Sequence, residues 1–196
     1  MDIDSLWPVK KKSKVIDNFD LKEGEIRLMP IEEDMLPWLR DYRNDYNIRK
    51  WCRQVGLLSD HDQMNWYHKI NNDKSINMFS IIRTENEDEG RLVGVCGLTS
   101  IDYINRNAEF SCYVGTEFRL SGYCSKALNI LFRYGFMELN LHSIWGETFE
   151  HNPAMHLFNK MGMTKDGIRR QFYYKEGKYI DAILISITKS EFTSED

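Results

Sequence analysis

RLSGYCSKAL, residues 119–128, sets a cation, two serines and one glycine between an apolar strand and an apolar helical run. A helix beginning near Gly122 points its unpaired N–H groups and the positive end of its dipole into the preceding turn. That turn then suits a phosphate or pyrophosphate. Gly122 lets a ligand come close to the backbone. Arg119 adds charge, and Ser121 and Ser125 add hydroxyl donors. A plain turn satisfies the same ten residues, so the flanking sequence has to decide.

Upstream, EIRLMPI (25–31) alternates like a first strand, NMFSIIRT (77–84) and RLVGVCGLTSI (91–101) read as strands joined by the charged turn ENEDEG (85–90), and AEFSCYV (108–114) is the fourth. Between the first two strands, residues 32–52 form a polar and aromatic helical region that Pro37 is expected to interrupt. Ser59 with Asp62 marks the start of a second helix in the manner of a capping box, and Met64, Tyr67 and Ile70 follow on one face. Downstream, SKALNILFRYGFMEL (125–139) is helical, with Leu128, Leu131, Phe132, Tyr134 and Phe136 giving it a wide apolar surface. SIWGETF (143–149) is a strand. HNPAMHLFNKMGM (151–163) is a helix with Asn152 as N-cap, Pro153 in the first turn and Gly162 at its end. TKDGIRRQFYY (164–174) and KYIDAILISIT (178–188) are strands joined at KEGK. This order predicts a mixed α/β domain with helices on both faces of its sheet.

Residues 1–24 read as an irregular N-terminal extension, with Trp7 and Pro8 docking on the body and the KKKSK run (10–14) solvated. The domain is expected over residues 25–190, with a tail at 191–196. A length of 196 residues suits one sizeable core better than two. The formal net charge of −4 provides no global attraction for nucleic acid. Cys52, Cys96, Cys112 and Cys124 include no C-x-x-C pair, so neither a metal site nor dithiol chemistry is expected. The acidic N-terminus is unlike a secretory signal, and no run reaches the roughly 20 apolar residues of a membrane helix. The expectation is a cytoplasmic protein with free thiols and no membrane partner.

Arg119-Leu120-Ser121-Gly122-Tyr123-Cys124 resembles the Q/R-x-x-G-x-G/A signature of the GNAT superfamily of acyl-CoA N-acyltransferases. The likeness continues through residues 108–170. It includes the strand acid Glu109, Tyr134-Gly135-Phe136, the NLHSI entry to the next strand (140–144), Asn152 and the KMGM-TKDG segment (160–167). Tyr179-Ile180-Asp181 belongs to it as well, and residues 25–188 follow the superfamily order. Within the superfamily, the chain looks most similar to the branch that acetylates ribosomal-protein N-termini and related small substrates.

The resemblance implies a mostly antiparallel sheet splayed between its fourth and fifth strands, with helices on both faces. It implies acetyl-CoA as co-substrate and no metal. The pantetheine arm would lie in the gap against the backbone of Cys112, Tyr113 and Val114, as a substitute strand would. Arg119 and the amides of Leu120, Ser121, Gly122, Tyr123, Cys124 and Ser125 would take the pyrophosphate. Asn152 would sit beside the cofactor, a role compatible with capping a helix. Cys124 stands where the family carries Gly or Ala, so its side chain is expected near the diphosphate in a tighter cradle.

Acetyl transfer to an amine needs a neutral, aligned amine and a proton for the departing thiolate. Glu109 is the candidate base; a solvated carboxylate, or one paired with Arg106 or Arg119, fits the same position. The positions at which many relatives carry a proton donor are Met155 and Phe158 here, which leaves water or a hydroxyl such as Tyr113 or Tyr173. His151 and His156 read as surface or packing residues. The acceptor region would hold Arg43, Asn44, Trp51 and Tyr173, joined by Arg53, Trp66 and Tyr67. Arg43 and Arg53 suit a phosphate or carboxylate, and the tryptophans suit a sugar or base. The acceptor is then an amine on a small molecule, an amino sugar (nucleotide-linked sugars included) or a peptide. A homodimer fits this branch. The competing reading is an acyl-CoA-binding sensor or assembly subunit that has lost catalysis.

Overall fold

The computed structural model describes residues 21–84 and 90–192. The docking of Trp7 and Pro8, the KKKSK run, residues 85–89 of the expected hairpin turn and residues 193–196 lie outside the described residues. Eight strands form one sheet: β1 Lys22–Glu23, β2 Ile26–Met29, β3 Asn77–Thr84, β4 Gly90–Asp102, β5 Asn107–Val114, β6 Ser143–Phe149, β7 Thr164–Lys175 and β8 Lys178–Thr188. Their spatial order is β1-β2-β3-β4-β5-β6-β8-β7. Every neighbouring pair is antiparallel except β5 and β6. The two-residue β1 adds a strand ahead of the first one expected, so the splay falls between the fifth and sixth strands.

The helices are α1 Leu36–Asn44, α2 Tyr46–Arg49, α3 Asp60–Asn72, α4 Tyr123–Met137 and α5 Met155–Lys160. Pro37 does not interrupt the first of them. It occupies the opening turn of α1, where its missing N–H has no helical partner to lose. The break comes instead at Asp45, whose side chain accepts from the Asn47 amide and caps α2. Ser59 and Asp62 form the expected capping box of α3.

Side chains alternate across β5 and sort the layers. Phe110 and Cys112 face α4: the Phe110 ring meets Phe132 edge-on, and Cys112 meets Cys124. Ala127, Leu128, Ile130, Leu131, Phe132 and Phe136 of α4 are buried there, each contributing roughly 1.5–3 kcal/mol where a large side chain leaves water. The opposite face carries Glu109, Ser111 and Tyr113; α1 and α3 cover it and leave a cleft over Ser111 and Tyr113. No helix among the described residues is long and apolar enough to cross a membrane.

Candidate active site

The pairing of β5 with β6 runs from Asn107↔Ser143 to Glu109↔Trp145 and stops there. Beyond Glu109 the two strands part, and residues 110–114 have no strand partner on their β6 side. Phe110 sits at the fork, its ring lying over Gly146 of β6. A Cβ on Gly146 would come within 2.3 Å of Phe110 Cε1, so only glycine admits the ring. Phe158 of α5 packs edge-on to the same ring at 5.3 Å between centroids. Phe158 and Met155 are thus spent on packing.

The opened edge of β5, with Cys112, Tyr113 and Val114, leads toward RLSGYCSKAL. Gly122 is the N-cap residue of α4 with φ +80°, and no side chain caps the helix. A Cβ added at Gly122 would meet nothing within 4 Å, so the space before the helix is open. Leu120 (φ +63°) is fully exposed beside it. Ser121 Oγ donates to the Phe118 carbonyl (2.5 Å), and Arg119 Nη2 donates to the Asn47 carbonyl (2.5 Å). Tyr123 packs on Phe118, and Ser125 lies in the first turn of α4. An uncapped helix end with a glycine in the left-handed region and free space before it fits a diphosphate group.

Cys124 departs from expectation. Its side chain points down onto the sheet, with Sγ 3.2 Å from Cys112 Sγ. It does not tighten the cradle, because at the second position of α4 the side chain faces the core. The Cys124 thiol and burial together push the Cys112 thiol well up.

Asn152 is not the N-cap of α5; that helix starts at Met155 with Ala154 as cap residue. The Met155 amide donates to the Asn152 carbonyl (3.0 Å) and the His156 amide to the Pro153 carbonyl (3.3 Å), so tight turns spanning three residues precede the helix. Asn152 instead receives the Ala154 amide (3.0 Å) and donates to Thr148 Oγ1 (2.7 Å), tying α5 to β6.

On the other face, Glu109 is 9% exposed at the fork and accepts from Arg53 Nη2 at 2.5 Å. Its partner is neither Arg106 nor Arg119, but a residue of the loop after α2. Burial works against the Arg53 charge, and the Glu109 carboxylate overrides it, raising the guanidinium's pKa. Across the fork, Glu147 of β6 is 3% exposed and takes Arg169 Nη1 at 2.9 Å together with the Tyr173 hydroxyl. Burial, then the hydrogen bond to Glu147, raises the Tyr173 phenol. Burial likewise raises Tyr113. Both phenols therefore keep their protons at neutral pH.

A cleft of about 450 Å³ lies on the same sheet face; Glu109 does not line it, but its neighbours Thr99 and Ser111 do. Thr99, the register partner of Glu109, lies on its floor with Ser111 and Tyr113. Arg43 of α1 and Trp66 and Gln63 of α3 wall it. Arg43 Nε donates to Gln54 Oε1 (3.0 Å), with its guanidinium 5.3 Å from the Tyr113 ring centroid. Asn44 faces the loop instead. Its side chain receives the Leu58 amide (2.7 Å) and donates to the Leu58 carbonyl (2.8 Å), which makes it a brace. Trp51, under Lys50 at 5.4 Å, is not among the residues lining the cleft.

Glu147, Arg169 and Lys175, and the Arg53–Glu109 pair, escaped the sequence reading. The signal for Glu147 was available: it stands at an alternating position in an otherwise largely apolar strand.

Residues 25–164 match the family of acetyltransferase (GNAT) domains. The chain is 30% identical over 172 residues to an uncharacterized N-acetyltransferase, p20, of Bacillus licheniformis, covering 85% of this chain and 93% of that one. It is 23% identical over 171 residues to the spermidine N(1)-acetyltransferase of Escherichia coli, covering 87% and 89%. Among solved structures, spermidine N-acetyltransferase from Vibrio cholerae in complex with CoA and spermine superposes with a TM-score of 0.80. That likeness carries 25% identity and covers 86% of this chain and 98% of the other.

Proposed function

Since the chain belongs to the GNAT acetyltransferase family and is an acetyl-CoA-dependent N-acetyltransferase, we propose that its acceptor amine enters from the α1/α3 face and that Glu109 is the base. The observation that carries this reading is the burial of the Glu109 carboxylate at the fork, where the open edge of β5 begins and the cleft ends. The cofactor supplies the acetyl group and a thiol leaving group.

The chain's residues supply position and proton transfer. The row from Cys112 to Val114 offers backbone groups along the gap, and the amides of Leu120 to Ser125, with Arg119, form the pyrophosphate cradle. Asn152 holds α5 against β6 on the far side. Glu109 takes the amine's proton, directly or through water, once the acceptor draws Arg53 aside. Tyr173 stays protonated on Glu147 and is the hydroxyl best placed across the fork to return a proton. Alignment in a ternary complex contributes on the order of 7 to 11 kcal/mol in favourable cases.

The acceptor class in this reading is a primary amine on a small molecule, an amino sugar or a peptide, reached by direct attack. Kinship with the branch acting on ribosomal-protein N-termini rests on the resemblance across residues 108–170. A homodimer belongs to the same reading, supported by exposed Phe172 and Tyr174 of the edge strand β7 and Tyr179 opposite Tyr174 on β8. Glu109→Gln tests the reading. Turnover should fall by about 10²- to 10⁴-fold while calorimetry finds acetyl-CoA binding retained; undiminished turnover would remove Glu109 from the chemistry.

A further inference from the structure

The loop after α2 gathers more positive charge than its carboxylates balance. Arg43 Nε is held by Gln54 Oε1 (3.0 Å), Lys175 Nζ by the Gln54 carbonyl (2.8 Å) and Arg49 Nη1 by the Val55 carbonyl (3.4 Å). Each of these acceptors is neutral. Among the described residues no carboxylate lies within ion-pair distance of Arg43, Arg49 or Lys175. Arg49 Nε is buried without a hydrogen-bond partner. The nearby acid Glu176 is engaged by the Tyr46 hydroxyl. The three cations sense one another: burial first, and then the Arg49 and Arg43 charges, lower the Lys175 ammonium, against opposing effects of Cys52, which exceeds that of either arginine, and of Glu176.

The cluster adjoins the proposed base. Arg53, which grips Glu109, is the residue before Gln54, and Arg43 lies over Tyr113 on the same sheet face as Glu109. We infer that Arg43, Arg49 and Lys175 form a subsite for an anionic group, a phosphate or carboxylate, carried by the acceptor amine. Guanidinium forks match such anions, and a fixed positive field recruits them. At the fork, the Glu109 and Glu147 carboxylates are already paired with Arg53 and Arg169; the acids that line the cleft, Asp62 and Asp73, are on the α3 side of it, held by Ser59 and Ser75. A polyamine entering by this loop meets three like charges, which disfavours it.

This inference rests on the reading that the acceptor enters over Glu109, and the test separates the two. Acetylation rates are measured for ethanolamine, O-phosphoethanolamine, β-alanine and spermidine. An anionic amine should exceed ethanolamine and spermidine in kcat/KM by about tenfold or more, the worth of a charged hydrogen bond. Arg43→Gln and Lys175→Gln should shrink that preference through KM with acetyl-CoA affinity retained. Preference for spermidine or ethanolamine overturns the subsite and leaves Glu109 as base intact.

Titration with inorganic phosphate gives a second readout, independent of turnover. Protein saturated with CoA should still bind phosphate, more weakly in both variants. Phosphate binding abolished by CoA would give these cations to the cofactor's own phosphates, and no phosphate binding at all would likewise overturn the subsite. If no amine is acetylated, the base assignment falls while the phosphate titration still decides the subsite.

Discussion

The side of the gap proposed for the cofactor offers backbone, and the side proposed for the acceptor offers side chains. From Phe110 to Val114 and again from Leu120 to Ser125, the available groups are amides and carbonyls, arranged by a strand that loses its neighbour and a helix that lacks a cap. Across the sheet, Arg43, Arg53, Glu109, Glu147, Arg169, Tyr173 and Lys175 are knitted by charge and hydrogen bonds. The first kind of surface suits a ligand whose shape never changes. The second can be rewritten by single substitutions, which is how one family serves many acceptors.

The sharpest way to break this comparison is Gly122→Glu. It forces a side chain to adopt φ +80° and puts a negative charge in the open space before α4. Acetyl-CoA affinity should drop on the order of a hundredfold by calorimetry, with far-UV circular dichroism unchanged. Equal loss of acceptor affinity at saturating acetyl-CoA would show that the two sides are not separable. Tyr173→Phe probes the other side: kcat should fall about tenfold to a hundredfold, modest for a positioned proton donor because water replaces the hydroxyl. Its acetyl-CoA dissociation constant should not move.

The smallest effect is expected at Asp45, which spans both sides by receiving the Asn47 amide (2.8 Å) and the Thr116 hydroxyl (2.5 Å) just before the cradle. Asp45→Ala should cost about 1 kcal/mol, as for other lost caps, or roughly 3 °C in Tm. Burial opposes the Asp45 charge, but the Thr116 and Asn47 hydrogen bonds outweigh it and lower its pKa. Its contribution is therefore present above the ordinary Asp value of about 3.9 and lost as pH falls through the lower folded value. Melting curves of the two proteins should converge in strong acid; a gap that persists there would assign the effect to packing.

The same contrast explains what the sequence disclosed. Gly122, the start of α4 and the strand ending at Val114 lie within a few residues of one another, so local rules sufficed. The Arg53–Glu109 pair spans 56 residues, and Arg169–Glu147 and Tyr173–Glu147 join strands separated by a helix. No periodicity announces which arginine reaches which acid. Pro37 misled for another reason: a proline reads alike as a helix breaker and as a first-turn residue until the start of the helix is known. Asn152 failed by a short distance, since a tight turn from Asn152 to Met155 comes before the helix proper. Cys124 was legible in position but not in direction, because one helical step decides whether a side chain faces ligand or core.

The parting of β5 from β6 has one more consequence. A sheet that leaves a row of its own amides and carbonyls unanswered in mid-structure is a fold short of one strand. If acetyl-CoA answers that row, it completes the protein as well as reacting on it. At a hundredfold excess over its dissociation constant it adds about 2.7 kcal/mol to the folded state. The lifetime of this chain among proteases then rises and falls with the supply of a central metabolite, before a single amine has been acetylated.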